Sequence, residues 1–158
     1  MKRIFLICII CVSCRSSQEV SPTQAFLSAE IDGKLWIPSN PVAYIDKRNP
    51  TRQVLVIGAR EGNGEEIQLF IFQPKKEDYF LDSFSASYAR YIPGQSQPNA
   101  VYSTLSSGTT EGLIRITYYD EKYVSGTFYF IAYNPLDATW VHVLEGTFKN
   151  ISVANFVP

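Results

Sequence analysis

From residue 25 onward, apolar and polar positions alternate in short runs, and this period of two is typical of β-strands. The clearest run is residues 123–133 (YVSGTFYFIAY), where alternation predicts Phe128 and Phe130 on one face and Tyr129 and Tyr133 on the other. No amphipathic helix of ten residues or more is indicated. The pattern therefore predicts an all-β domain.

Turn signals separate these runs. The Asp32-Gly33 pair predicts a hairpin with a type I′ turn, because both central positions of that turn need positive φ. Residues 61–64 (EGNG) predict a second hairpin, and Pro135 in residues 134–137 (NPLD) predicts a third turn. The predicted strands are residues 26–31, 34–37, 53–60, 65–73, 79–81, 87–91, 100–103, 112–120, 123–133 and 139–149.

About ten short strands joined by hairpins favour a single antiparallel β-sandwich over residues 25–158. An up-and-down β-barrel with an internal cavity is the alternative. The tripeptide Gly-Thr-Phe occurs at 126–128 and again at 146–148. Since glycine weakens a strand, we expect Gly126 and Gly146 to mark bulges or close approaches of the backbone.

The first 24 residues have a different pattern. Lys2 and Arg3 precede an apolar run at 4–12, which is about half of the roughly 20 residues that a membrane-spanning helix needs. Residues 1–13 are therefore predicted to be a signal peptide. Ser13 before Cys14 resembles a bacterial lipobox, although a cysteine stands where the lipobox usually has leucine.

This assignment predicts a lipid on Cys14, a flexible polar tether over residues 14–24 and an all-β domain over residues 25–158. The predicted location is the cell envelope, as a lipoprotein anchored to the outer membrane, on a face that the sequence does not specify. No cysteine follows Cys14, so a zinc site built on cysteine in the domain is excluded.

Charge narrows the class of partner. Removal of Lys2 and Arg3 with the signal peptide leaves 12 of the 14 basic residues. With 15 acidic residues, the mature chain has a net charge of −3. A weakly acidic domain lacks the basic surface that nucleic-acid binding requires, so no nucleic-acid partner is expected.

The sequence offers little for catalysis. His142 is the only histidine, and alternation places it on one strand face with Trp140, Leu144 and Phe148, where we expect it to be partly buried. No G-x-S-x-G nucleophile motif and no D-x-D-x-D-G calcium loop is present. We therefore predict no catalytic residue, no metal ligand and no cofactor, and the domain is not expected to be an enzyme.

The abundant aromatic residues are the main candidates for binding. Tyr119, Tyr129, Tyr133 and Trp140 are the candidate ligand contacts, because exposed aromatic rings bind sugars and proteins. Cross-strand packing pairs are the simpler interpretation of the same residues. The sequence thus favours a non-catalytic binding or interaction module for a glycan or an envelope protein. A barrel-type small-ligand carrier and a hydrolase are the alternatives.

Three segments carry a resemblance to a known family: residues 26–36 (FLSAEIDGKLW), 112–117 (GLIRIT) and 125–130 (SGTFYF). They resemble small uncharacterised lipoproteins of Bacteroidetes, whose members have a lipoprotein signal, an I-[DN]-G-x-x-W hairpin and an S-G-T-F-x-F strand. The resemblance runs from Phe26 to Ile151 and is loose between 74 and 107. It implies an envelope location and an all-β fold, and it assigns no functional residue.

Overall fold

The structure is a computed structural model that describes residues 24–47, 51–106 and 111–156. Cys14, the predicted signal peptide and nearly all of the predicted tether lie outside these residues. In the part that is described, no helix has both the length and the apolar character needed to cross a membrane.

The prediction of an all-β fold is confirmed. In the described part of the chain there are eleven strands and one 3₁₀ turn, Gly94–Ser96. The strands are β1 (Phe26–Ile31), β2 (Lys34–Trp36), β3 (Val42–Asp46), β4 (Val54–Arg60), β5 (Glu65–Phe72), β6 (Asp78–Leu81), β7 (Tyr88–Pro93), β8 (Tyr102–Ser103), β9 (Glu111–Tyr119), β10 (Tyr123–Asn134) and β11 (Thr139–Phe156).

All eleven strands belong to one mixed sheet, in the order β2-β1-β11-β3-β4-β5-β7-β8-β10-β9-β6, with β11 also paired to β10. The sheet is not a closed barrel, so the alternative of an up-and-down barrel is wrong. It is also not wholly antiparallel. Because β11 extends past the predicted end at 149, its residues 153–156 lie parallel to β3.

The core is a single cluster to which nearly every strand contributes alternate residues. Phe130, Phe148, Leu27, Ile57 and Ile114 are among its fully buried side chains. Since one face of each strand reaches the same cluster, the sheet must curve around it. The other face of most strands is directed toward solvent.

The Asp32-Gly33 turn forms as predicted, with positive φ at both residues (46° and 79°). The two Gly-Thr-Phe segments lie opposite each other in β10 and β11, with Gly126 beside Phe148 and Phe128 beside Gly146. A Cβ added at Gly126 would lie 2.5 Å from the Phe148 ring, and one at Gly146 would lie 2.6 Å from the Phe128 ring. The predicted close approach is therefore confirmed, and it is reciprocal.

A bulge interrupts β11 at Glu145, which has a φ of 50° and lies where the register between β10 and β11 shifts. The bulge exchanges the two faces of the strand. Leu144 points outward, whereas Phe148 is buried. The expectation that His142 shares a face with Phe148 is therefore wrong, because a period of two does not continue through an inserted residue.

Candidate functional site

His142 lies on the solvent side of β11, and its side chain is 54% exposed, which corrects the expected partial burial. Its Nδ1 atom is 3.6 Å from Oδ1 of Asp32. The same carboxylate oxygen accepts the backbone N–H of His142 at 2.9 Å. The contact therefore fastens the β1–β2 turn to β11. This contact could not be predicted from the sequence, because 110 positions separate the two partners.

The four aromatic candidates do not form one cluster. Tyr133 and Trp140 pair across β10 and β11, with ring centroids 4.6 Å apart. Tyr129 lies on the same outer face, two rows of side chains away, and is 42% exposed. Tyr119 instead packs against the core, and this burial raises the pKa of its phenol. Three of the four thus share the outer face of the sheet.

Tyr129 belongs to a row of side chains that crosses the sheet on this face. Phe80 of β6 pairs with Leu113 of β9, and Leu113 pairs with Tyr129. On the far side of the β11 bulge, Leu144 pairs with Glu30 of β1, and Glu30 pairs with Leu35 of β2. We call the apolar members the transverse apolar row: Leu35, Phe80, Leu113, Tyr129 and Leu144.

The row is well exposed for apolar side chains. Leu35 and Phe80 are 74% and 70% exposed, and Leu144 is 40% exposed. A shallow groove of about 450 Å³ lies beside Leu113 and Tyr129, and Thr127 and Thr147 also line it. An exposed surface of this kind is typical of a site that contacts a partner.

Polar side chains border the row on one side. Arg115, which pairs with Thr127, donates two hydrogen bonds to the carboxylate of Asp78, at 2.8 and 2.7 Å. These hydrogen bonds, together with the positive charge, hold the pKa of Asp78 below its ordinary value. The surface thus has an apolar centre with a polar border, as the interfaces of proteins have.

Sequence reasoning identified Tyr129 but missed the other four members of the row, Leu35, Phe80, Leu113 and Leu144. Alternation alone indicates that Leu35 points away from Trp36, and that Phe80 points away from Tyr79 and Leu81. What the sequence could not show is that these strands adjoin, since the row draws on strands far apart in the chain.

In the described ranges, no group of three or more His, Cys, Asp or Glu side chains is placed to hold a metal ion. The fold and this surface define an all-β domain whose outer face carries a row of exposed apolar side chains. The chain belongs to the family described as Domain of unknown function (DUF6252), whose model matches residues 23–152. Neither the curated proteins nor the solved structures include a match to the chain.

Proposed function

We propose that the protein is a non-catalytic interaction module of the cell envelope that binds a protein partner through the transverse apolar row. The single observation that supports this most is the alignment of five apolar side chains, from five strands, on solvent-facing positions. Scattered exposed apolar residues are ordinary on a protein surface, but an aligned set marks an interaction site.

The size of the row suits a protein ligand. From β2 to β6 it spans six neighbouring strands by way of the β10–β11 pairing, which is roughly 24 Å at a strand spacing of about 4.8 Å. A round surface that buries about 800 Å² on each partner is roughly 30 Å across, so the row would cross most of it. The mixture of two aromatic rings with three leucines, bordered by Arg115 and Asp78, matches the composition of an interface centre and its rim.

The anchor supports the same proposal. A lipid on Cys14 would hold the domain at the outer membrane of a bacterium, in keeping with the resemblance to lipoproteins of Bacteroidetes. Residues 15–24 would extend up to roughly 30 Å from the lipid. At that distance the domain can turn its outer face toward a neighbouring envelope protein.

Site-specific photocrosslinking in cells tests the proposal. A benzoylphenylalanine in place of Phe80, within the row, should form an adduct with one envelope protein, whereas the same group in place of Phe84, 96% exposed but outside the row, should not. Leu144→Asp should abolish the adduct formed at position 80. The purified partner should then bind the domain, and Leu144→Asp should weaken that binding. An absent adduct at position 80, or the same adduct from position 84, would contradict the proposal.

A glycan is the second candidate ligand, and the groove beside Tyr129 favours it. There the ring of Tyr129, 42% exposed, shares a groove with the polar residues Thr127, Thr147 and Glu145. A glycan at a hundred times its Kd would stabilise the domain by about 2.7 kcal/mol, which thermal unfolding detects. A stabilising glycan whose effect is lost in Tyr129→Ala would replace the protein ligand in this proposal.

The carrier and hydrolase alternatives receive less support. A barrel-type carrier of small ligands requires a closed barrel, and the sheet is not closed. A hydrolase would need a cleft that holds convergent carboxylates or His142. His142 instead lies on an open strand face, 54% exposed, and the Asp32 carboxylate beside it holds the backbone N–H of the same histidine.

A further inference from the structure

A second surface lies on the outer face of β7, where Arg90 is held by two aromatic rings. Phe70 of β5 and Tyr88 of β7 are cross-strand partners, and their rings stack with centroids 4.3 Å apart. The guanidinium carbon of Arg90 lies 5.4 Å from the Phe70 centroid and 5.1 Å from the Tyr88 centroid. This contact fixes the position of a partly buried positive charge.

Arg90 has no carboxylate within 4.0 Å among the residues that the structure describes. The other two arginines for which a carboxylate contact is described differ in this respect, because Arg60 lies 4.0 Å from Glu66 and Arg115 binds Asp78. A guanidinium that is partly removed from water and has no anion beside it offers a site for one.

Arg90 forms one side of an open groove of about 370 Å³. Its walls are chiefly apolar and include Val101, Leu105 and Leu136, which are 41%, 40% and 77% exposed. Ser103, which pairs with Arg90, also lines the groove, and its Oγ accepts the backbone N–H of Leu105 at 3.2 Å. The nearby acid Asp137 accepts hydrogen bonds from Thr139, so its carboxylate is engaged within its own turn.

We infer that this groove binds a small apolar monocarboxylate, with the carboxylate on the guanidinium of Arg90 and the apolar group against Val101, Leu105 and Leu136. The planar guanidinium can donate two parallel hydrogen bonds to a carboxylate, and its contact with Phe70 and Tyr88 orients it before the ligand arrives. A single positive charge within apolar walls matches a single negative charge carried on an apolar group. The site is separate from the transverse apolar row and does not depend on the function proposed for it.

NMR titration of the ¹⁵N-labelled protein tests this inference with two carboxylates, octanoate and N-acetylphenylalanine. Their neutral counterparts are octanol and N-acetylphenylalanine amide. At least one carboxylate should cause saturable shifts in the amides of residues 101–106, Asn134 and Leu136, and its neutral counterpart should bind about tenfold more weakly. Preference between the two carboxylates distinguishes a fatty acid from an amino-acid derivative. An absence of saturable shifts with both carboxylates, or equal binding of the neutral compounds, would overturn the inference.

Variants locate the contact. Arg90→Gln should weaken binding of the carboxylate about tenfold and leave binding of its neutral counterpart unchanged. Arg60→Gln, remote from this groove, is the matched control and should change neither. If Arg90→Gln does not fold, Leu136→Asp keeps the test intact, because Leu136 lies exposed in a turn and an added negative charge there should repel the carboxylate. Unchanged affinity in Leu136→Asp and in any folded Arg90→Gln would overturn the inference.

Discussion

The reciprocal contact between the two Gly-Thr-Phe segments predicts that neither glycine tolerates even one added methyl group. In Gly126→Ala the new Cβ would lie 2.5 Å from the ring of Phe148 and closer still to the carbonyl oxygen of Arg115. In Gly146→Ala it would lie 2.6 Å from three atoms of the Phe128 ring. Both rings are buried, with exposures of 3% for Phe128 and 1% for Phe148. Neither ring can therefore swing into solvent.

The magnitude follows from the distances. Carbon atoms pack best at about 3.5–4.0 Å, so each ring would have to move by about 1 Å. Overpacking of this kind costs about 1–3 kcal/mol. Replacing glycine by alanine also lowers the conformational entropy of the unfolded chain, which offsets about 0.4–1 kcal/mol of this loss of stability. We expect a net loss of about 1–2 kcal/mol for Gly146→Ala, and a larger loss for Gly126→Ala, because there a backbone carbonyl must also move.

Urea unfolding followed by circular dichroism measures these losses, and thermal unfolding should show a fall of roughly 3–4 °C for each kcal/mol. Gly62→Ala is the matched control, since an added Cβ there has no neighbour within 4 Å. In a double-mutant cycle, Phe128→Leu should cost less in the Gly146→Ala background than in the wild-type protein, because the smaller side chain leaves room for the added Cβ. If both strand variants unfold within about 0.5 kcal/mol of Gly62→Ala, the argument from close approach is refuted.

Three further predictions concern other parts of the molecule. Cys14→Ser should move the exported protein from the membrane to the soluble fraction, and continued tight membrane association would contradict lipidation. Asp32→Ala should destabilise the domain by about 1–2 kcal/mol in urea unfolding. The variant keeps a positive φ that alanine disfavours, and it loses the carboxylate that accepts the backbone N–H of His142. Asp32→Asn is the control and should retain most of the stability. The pKa of Asp78 is lowered, chiefly by its hydrogen bond from Arg115, so its contribution is present above the unfolded pKa of about 3.9 and is lost as pH falls through the folded pKa. Asp78→Asn should therefore be less sensitive to acid between those two pKa values, and identical acid unfolding of both proteins would show that the ion pair contributes nothing.

Local features of the fold could be predicted because local chemistry determines them. Asp32-Gly33 supports positive φ at two successive residues, and the β1–β2 hairpin follows from that. The alternation from 123 to 133 correctly separated Phe128 and Phe130, which are buried, from Tyr129, which is exposed. In each case the information lies within a dozen residues of sequence.

Features that depend on distant pairing could not be predicted in the same way. β3 lies between β2 and β4 in the chain without a hairpin signal before it, and its parallel partner is more than a hundred residues away. Gly146 marked the place of the bulge correctly, but the sequence did not show that Glu145 beside it would take positive φ and that Phe148 would move to the buried face. Prediction of the candidate site met the same limit. Tyr129 could be predicted from the pattern of its own strand, but the other members of the row could be recognised only once the strand order was known.

β11 has a consequence for how the domain folds. This strand pairs with β10 and β1 along its first part and with β3 at its end. It is also the last of the described strands to be synthesised. Until it is present, β1 and β3 lack their long-range neighbour, and the core lacks Phe148. Folding should therefore be slow and cooperative, and a chain emerging residue by residue should stay open until β11 arrives and completes the sheet.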